Sequence, residues 1–124
     1  MAAVLAYVSA ALVAGWGVAH AVPTRQVLAS FEPTATNNRR IILQEWLAEA
    51  FTMWGIAAVV IAATAAPGTA PDIRAWVYRA ASALLISLGA LTALTGARTP
   101  VIWFKFCPAL LTAAALLMVF ASFQ

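Results

Sequence analysis

Four long apolar stretches constrain this chain more than any other feature of its sequence. They cover residues 2–22, 41–66, 75–95 and 101–123. A helix needs about 20 mostly apolar residues to cross the hydrocarbon core of a bilayer. The runs are too long, and too rich in Ala and Leu, for the short alternating strands of a membrane barrel. The sequence therefore predicts four transmembrane helices.

Composition and joints indicate how these helices are arranged. Only 9% of the 124 residues are charged and 65% are hydrophobic, whereas soluble domains carry roughly a quarter charged residues. The joints at 66–72 and 95–100 are short and rich in Pro and Gly, so consecutive helices should run antiparallel. We expect an all-α, up-down transmembrane four-helix bundle that forms one integral membrane domain over residues 1–124.

The loop at 23–40 is the one long connection in this arrangement. It is polar, and its segment VLASF (27–31) could lie at the interface as a short helix. Long connections are often functional, but a solvated linker is an equal alternative. Asn37 and Asn38, near its end, are typical residues for capping the second helix.

Basic residues are distributed unevenly between the two sides of the predicted bundle. Five lie in or beside the loops that follow the first and third helices: Arg25, Arg39, Arg40, Arg98 and Lys105. Arg74 and Arg79 lie on the opposite side. The positive-inside rule then predicts a multi-pass protein with these two loops in the cytoplasm and both termini outside it.

Two carboxylates interrupt the second apolar stretch. Glu45 and Glu49 are four residues apart, so they project from one helix face, which Thr52 continues. A charge that meets lipid at this depth costs several kcal/mol. We therefore expect both carboxylates to face the bundle interior, where a cation or a proton compensates for their charge.

Other polar residues should lie in the same leaflet. His20 ends the first helix, while Lys105 and Cys107 begin the fourth, and in an up-down bundle these ends meet. We predict His20, Glu45 and Glu49 as catalytic residues, and Trp16, Asn38, Thr52 and Lys105 as substrate-binding residues. The alternative is a hydrogen-bonded network that only fixes packing. We expect Lys105 to reach the interface, with a counter-ion role as the alternative, and Cys107 to be a core residue.

The residue inventory excludes several kinds of chemistry. One His and one Cys rule out a bis-histidine haem and a paired-cysteine zinc site within the chain. No phosphate-binding loop or dinucleotide fingerprint occurs, and nothing resembles a nucleic-acid groove. We expect no metal and no cofactor, so acid–base chemistry or proton-linked movement remains.

The stretches WGVAHAVPTRQVLASF (16–31) and NNRRIILQEWLAEAF (37–51) resemble a pattern in small, uncharacterised four-helix integral membrane proteins. The resemblance covers the first two helices and implies no activity. The set of one His and two Glu is similar in kind to that of the membrane sterol isomerases, although order and spacing differ. The size is similar to that of small multidrug transporters, whose key Glu lies in the first helix; here that helix has none.

These observations favour a small membrane enzyme that uses His and Glu for acid–base chemistry on a lipid-soluble substrate. Isomerisation, cyclisation and epoxide opening all fit this residue set. Two alternatives remain open: an accessory or assembly subunit of a membrane complex, and a small proton-coupled transporter. The expected partners are the membrane, a hydrophobic small molecule or lipid, and a second copy of the chain in a homodimer.

Overall fold

The chain forms an all-α bundle, which a computed structural model describes over residues 1–31 and 35–124. The described helices are α1 (Ala2–Ala21), α2 (Thr24–Ser30), α3 (Thr36–Ala65), α4 (Pro71–Leu94) and α5 (Ile102–Ala121), with a 3-10 turn at Gly96–Arg98. All except α2 and the turn are long and apolar enough to cross a membrane. The predicted helical bundle is confirmed, and length and composition make it a candidate multi-pass membrane protein.

Helix ends differ from the sequence expectation mainly at α3. This helix begins at Thr36 rather than at residue 41, because the polar residues before the apolar stretch are also helical. Its N-cap is Ala35, with no side-chain capping bond. Asn37 and Asn38 therefore lie inside the first turn, and the prediction that they cap the helix is wrong. The predicted loop 23–40 contains α2, and its residues 32–34 lie outside the described part of the chain.

Interhelical hydrogen bonds show that α1 runs antiparallel to both α3 and α5. Trp54 Nε1 on α3 donates to the Ala14 carbonyl at 3.2 Å, and Ser9 Oγ donates to the Ala114 carbonyl on α5 at 2.7 Å. Helix α4 packs along α5, while α3 and α4 pack more loosely. We call each interface between neighbouring helices a seam. The α1–α3, α1–α5 and α4–α5 seams are thus closely packed, and the α3–α4 seam is looser.

Small residues allow close helix packing at the end where α1 begins and α5 finishes. Ala6 and Ala10 of α1 and Ala114 of α5 are fully buried there. Ser82 Oγ of α4 donates to the Ala115 carbonyl at 3.0 Å. Small side chains let helix backbones approach closely in a membrane. This end, which we call the closed end, therefore holds the bundle together.

Candidate functional site

A cavity of about 710 Å³ opens at the other end of the bundle, which we call the cavity end. The end of α1, the short α2, the N-terminal half of α3, the end of α4 and the beginning of α5 surround it. The antiparallel arrangement predicted from the sequence brings these segments together. A cavity of this size is in the usual range for a small-molecule site.

Aromatic rings and aliphatic side chains form most of the cavity wall. The rings are those of Trp16, Trp46, Trp103 and Phe104. Polar groups are few: His20, Gln26, Ser30, Glu49, Thr92, Thr95 and Cys107. Bulky rings face the space between the helices here, whereas fully buried alanines fill that space at the closed end. A mainly apolar wall with a few polar groups is typical of sites for hydrophobic ligands.

His20 is held in place by Trp46 in two ways. It lies in the last turn of α1 and is buried. Its ring stacks on the Trp46 indole, with centroids 3.9 Å apart and an interplanar angle of 20°. Its Nε2 lies 3.1 Å from the Trp46 carbonyl oxygen. A carbonyl can only accept, so Nε2 carries a hydrogen, and in the neutral ring Nδ1 keeps the lone pair.

Glu49 provides the carboxylate of the cavity. Its Oε2 lies 3.7 Å from His20 Nε2, and its side chain is only 30% exposed. This distance allows an ion pair but exceeds a hydrogen bond. Catalytic contacts are often long before a substrate binds. Glu49 and His20 thus lie side by side on a mainly apolar wall.

A thiol completes the wall on the α5 side. Trp16 Nε1 donates to Cys107 Sγ at 3.1 Å, and Cys107 Sγ lies 3.9 Å from Thr92 Oγ1. Cys107 is buried, as the core interpretation predicted, yet it also faces the cavity. These contacts tie α1, α4 and α5 together beneath the cavity.

Glu45 requires a correction. We expected it to face the interior beside Glu49, but it is exposed and does not line the cavity. The end of α1 contacts the neighbouring Trp46 through His20, while the Glu45 side chain remains exposed. Among the described residues, its carboxylate accepts one long contact, from the Gln44 amide at 3.5 Å. One turn of α3 thus separates an exposed carboxylate from one that lines the cavity.

Three predicted substrate-binding residues also lie outside the cavity. Asn38, Thr52 and Lys105 are all exposed and do not line it. Thr52 donates its hydroxyl to the Ala48 carbonyl at 2.7 Å. Trp16, the fourth, does line the cavity. Among the described residues, the basic side chain within 4 Å of the Glu49 carboxylate is therefore His20 rather than Lys105.

Sequence reasoning missed the contribution of α4 and α5. Thr92, Thr95, Trp103 and Phe104 all line the cavity. The spacing of Thr92 and Thr95 places them on one face of α4, but polar residues near a helix end also suit an ordinary interface. Only the rotation of each helix about its own axis distinguishes a residue that faces the cavity from one at an ordinary interface. The sequence patterns do not specify that rotation.

Metal binding has no support within residues 1–31 and 35–124. No group of three or more His, Cys, Asp or Glu side chains there is placed to hold a metal ion. Among the described residues, the cavity wall includes one imidazole, one carboxylate and one thiol, groups that can donate or accept protons.

Several residues of the stretches 16–31 and 37–51 meet at this cavity. They are Trp16, His20, Pro23, Val27, Trp46 and Glu49. The chain matches no family model, no curated protein and no solved structure. The cavity itself is therefore the strongest guide to what the protein does.

Proposed function

We propose that this protein is a small integral membrane enzyme that shifts a double bond in a lipid-soluble substrate by proton transfer. The observation that carries the proposal is the Glu49 carboxylate 3.7 Å from the His20 ring, both on the wall of an apolar cavity of about 710 Å³. Ionisable groups inside membrane spans usually mark functional sites.

The cavity end is costly as a purely structural element. The indole Nε1 of Trp46 is buried without a hydrogen-bond partner among the described residues, which costs about 1–3 kcal/mol. Hydrogen bonds between membrane helices stabilise them by only about 0.6 kcal/mol on average. Closely packed alanines, as at the closed end, would join the helices without a carboxylate. A ligand-binding role explains why the open, polar arrangement is kept.

Each group has a defined role in the proposed reaction. In a substrate whose double bond lies one carbon away from a carbonyl group, Glu49 removes a proton from the carbon between them, the electron pair moves toward the carbonyl oxygen, and Glu49 returns the proton to the far carbon of the double bond. The His20 ring stabilises the Glu49 carboxylate whenever the carboxylate carries its negative charge. Trp46 fixes the ring by stacking and by its carbonyl. The reaction consumes no co-substrate and leaves the enzyme unchanged.

The position of Glu45 favours isomerisation over the other reactions considered. Epoxide opening and cyclisation commonly use one carboxyl as acid and a second as base or cation stabiliser. Among the described residues, Glu49 is the one carboxylate that lines the cavity. A proton shift needs a single carboxylate that acts first as base and then as acid.

Incorporation of deuterium from solvent tests this proposal with a mixture of natural lipids as the source of substrate. Purified protein in lipid nanodiscs is incubated in D₂O with a lipid extract of the source cells, and products are analysed by mass spectrometry. Isomerisation by a carboxyl group that exchanges with solvent should introduce one deuterium on carbon. Glu49→Gln should lower incorporation by at least about 100-fold, the usual contribution of a general base.

Glu45→Gln is the matched control, because the same substitution is made one turn away and outside the cavity. It should retain incorporation close to that of the unmodified protein. Incorporation that is absent, or equal in the Glu49→Gln variant, would contradict the proposal. Activity only with a co-purifying complex would favour the accessory subunit, and flux that follows a pH gradient would favour the transporter.

We also propose that the cavity end faces the cytoplasm. Five of the seven basic residues lie at that end, and basic loops are retained there. A periplasmic-type reporter such as alkaline phosphatase fused after Gln124 should be active, and a fluorescent protein that matures only in the cytoplasm should be dark. An inactive alkaline phosphatase together with a bright fluorescent protein would place the cavity end outside the cytoplasm.

A further inference from the structure

A second depression lies along the loose seam between α3 and α4. Its volume is about 260 Å³, and every residue that lines it is apolar. Gly55, Ile56 and Val59 belong to its α3 wall, and Val77 and Leu84 to its α4 wall. We call it the seam groove.

On α3, one helix face joins the seam groove to the cavity. Glu49 lines the cavity, and Ile56 and Val59 line the groove. Thr52 lies between them, so the four residues follow one another at spacings of three, four and three along α3. Such spacing places residues on one face of a helix. Thr52 is exposed, so no other helix covers the face at this point.

On α4, the same relation holds. Leu84 lines the groove, and Leu91 and Thr95 line the cavity. Leu88 lies between them at spacings of four and three. The groove and the cavity therefore border the same two helix faces, with Thr52 and Leu88 between them. We call the groove, the cavity and this intervening stretch the slot.

The length of this slot corresponds to one leaflet. Ten residues separate Glu49 from Val59, which is about 15 Å along a helix. The hydrocarbon core is about 30 Å thick, so each leaflet contributes roughly 15 Å. A molecule that lies along the slot has the length and direction of a lipid chain in the cavity-side leaflet.

We propose that the cavity and the seam groove bind one lipid with a single long hydrocarbon chain. Its reactive double bond lies beside Glu49 and its remaining chain lies in the groove. This inference deepens the proposed function by naming the substrate class. We propose a hydrocarbon chain rather than a helix of a second copy as the occupant, because a helix measures about 10–12 Å across with its side chains and the groove holds only about 260 Å³.

The test uses two photoreactive probes, a long-chain and a short-chain fatty alcohol, each with a diazirine at the chain end. Labelled peptides are mapped by mass spectrometry after illumination in nanodiscs. The long probe should label the seam groove in a saturable manner. The short probe should label the cavity wall.

Gly55→Leu fills the groove, because a Cβ at Gly55 would meet nothing within 4 Å and the new side chain can enter the open space. It should reduce groove labelling by the long probe about tenfold and leave cavity labelling by the short probe unchanged. Gly15→Leu is the matched control: this glycine is also exposed, on α1, with nothing within 4 Å of a Cβ. Ala80→Leu, on the α4 wall, repeats the block should Gly55→Leu fail to fold.

Ala19→Trp narrows the cavity and should also reduce groove labelling, because one ligand occupies both parts. The inference would be overturned by groove labelling that does not saturate, that falls as much in Gly15→Leu as in Gly55→Leu, or that is unchanged in Ala19→Trp. Each of these results would indicate ordinary solvation by lipid. Every labelling experiment is repeated in the Glu49→Gln variant. Persistent, cavity-dependent labelling in a protein that incorporates no deuterium would keep the lipid site and reject the isomerase.

Discussion

The two ends of the bundle solve the problem of helix packing in opposite ways. At the closed end, Ala6, Ala10 and Ala114 have no exposed surface, and buried serines donate to carbonyls of neighbouring helices. At the cavity end, the rings of Trp16 and Trp46 line an open cavity. The closed end also contains a ring, that of Tyr78, but this ring is buried in the core. The two ends thus differ in whether side chains fill the space between the helices.

The strongest test of this contrast inserts the same side chain at each end. Ala114→Leu at the closed end should destabilise the fold by about 1–3 kcal/mol, because a packed interior has no space for it. Ala19→Leu at the cavity wall should change stability by no more than about 0.5 kcal/mol. Thermal unfolding in detergent, measured by circular dichroism, gives both values. Equal destabilisation would remove the distinction between the ends.

A second test probes the seam between α1 and α3, which joins the two ends. A Cβ at Gly17 would lie 2.7 Å from Trp54 Nε1 and 3.4 Å from the Ala50 carbonyl oxygen. Gly17→Ala should therefore displace the indole from its bond to the Ala14 carbonyl and cost about 1 kcal/mol. Trp54 fluorescence should change with it, although the other four Trp contribute to the signal.

Gly15→Ala is the control for that test, since its Cβ would meet nothing within 4 Å. Alanine is the better helix former, so this variant should be neutral or more stable by up to about 1 kcal/mol. A loss of stability similar to that of Gly17→Ala would show that Trp54 does not determine the packing of α1 against α3.

The smallest expected effect concerns the α3–α4 seam at the closed end. Thr64 donates its hydroxyl to the Val60 carbonyl at 2.6 Å, so the Tyr78 hydroxyl, 2.8 Å away, donates to Thr64. Tyr78→Phe should cost about 0.6 kcal/mol, a typical value between membrane helices. Tyr7→Phe, at an exposed tyrosine, should cost nothing measurable. If Tyr78→Phe and Tyr7→Phe changed the free energy of unfolding equally in the same assay, this hydrogen bond would have no role at the seam.

The sequence predicted the meeting of helix ends well, for a simple physical reason. Apolar runs fix the number of spans, and short joints fix their alternating direction, so His20 and Glu49 had to share one end. Glu45 was misplaced because residue spacing does not show which positions of α3 neighbouring helices cover. The start of α3 at Thr36 was missed because polar residues outside the apolar run carry no hydrophobic signal.

The lining from α4 and α5 could not be predicted from these arguments. Thr92 and Phe104 face the cavity because of how each helix is rotated about its axis. That rotation follows from packing along the whole bundle, for example from Ser82 against Ala115. Residue type at one position does not decide it.

The length of α3 gives the protein a sensitivity to bilayer thickness. Its 30 residues extend about 45 Å, against a hydrocarbon core of about 30 Å. If its C-terminal end stays level with the neighbouring helices, the turns before Trp46 stand in water. Thin bilayers would then bring water a turn closer to Glu49, and thick bilayers would surround it with lipid or tilt the helix. Proton exchange at this site should therefore vary with the acyl-chain length of the host membrane, which reconstitution in short-chain and long-chain lipids would measure.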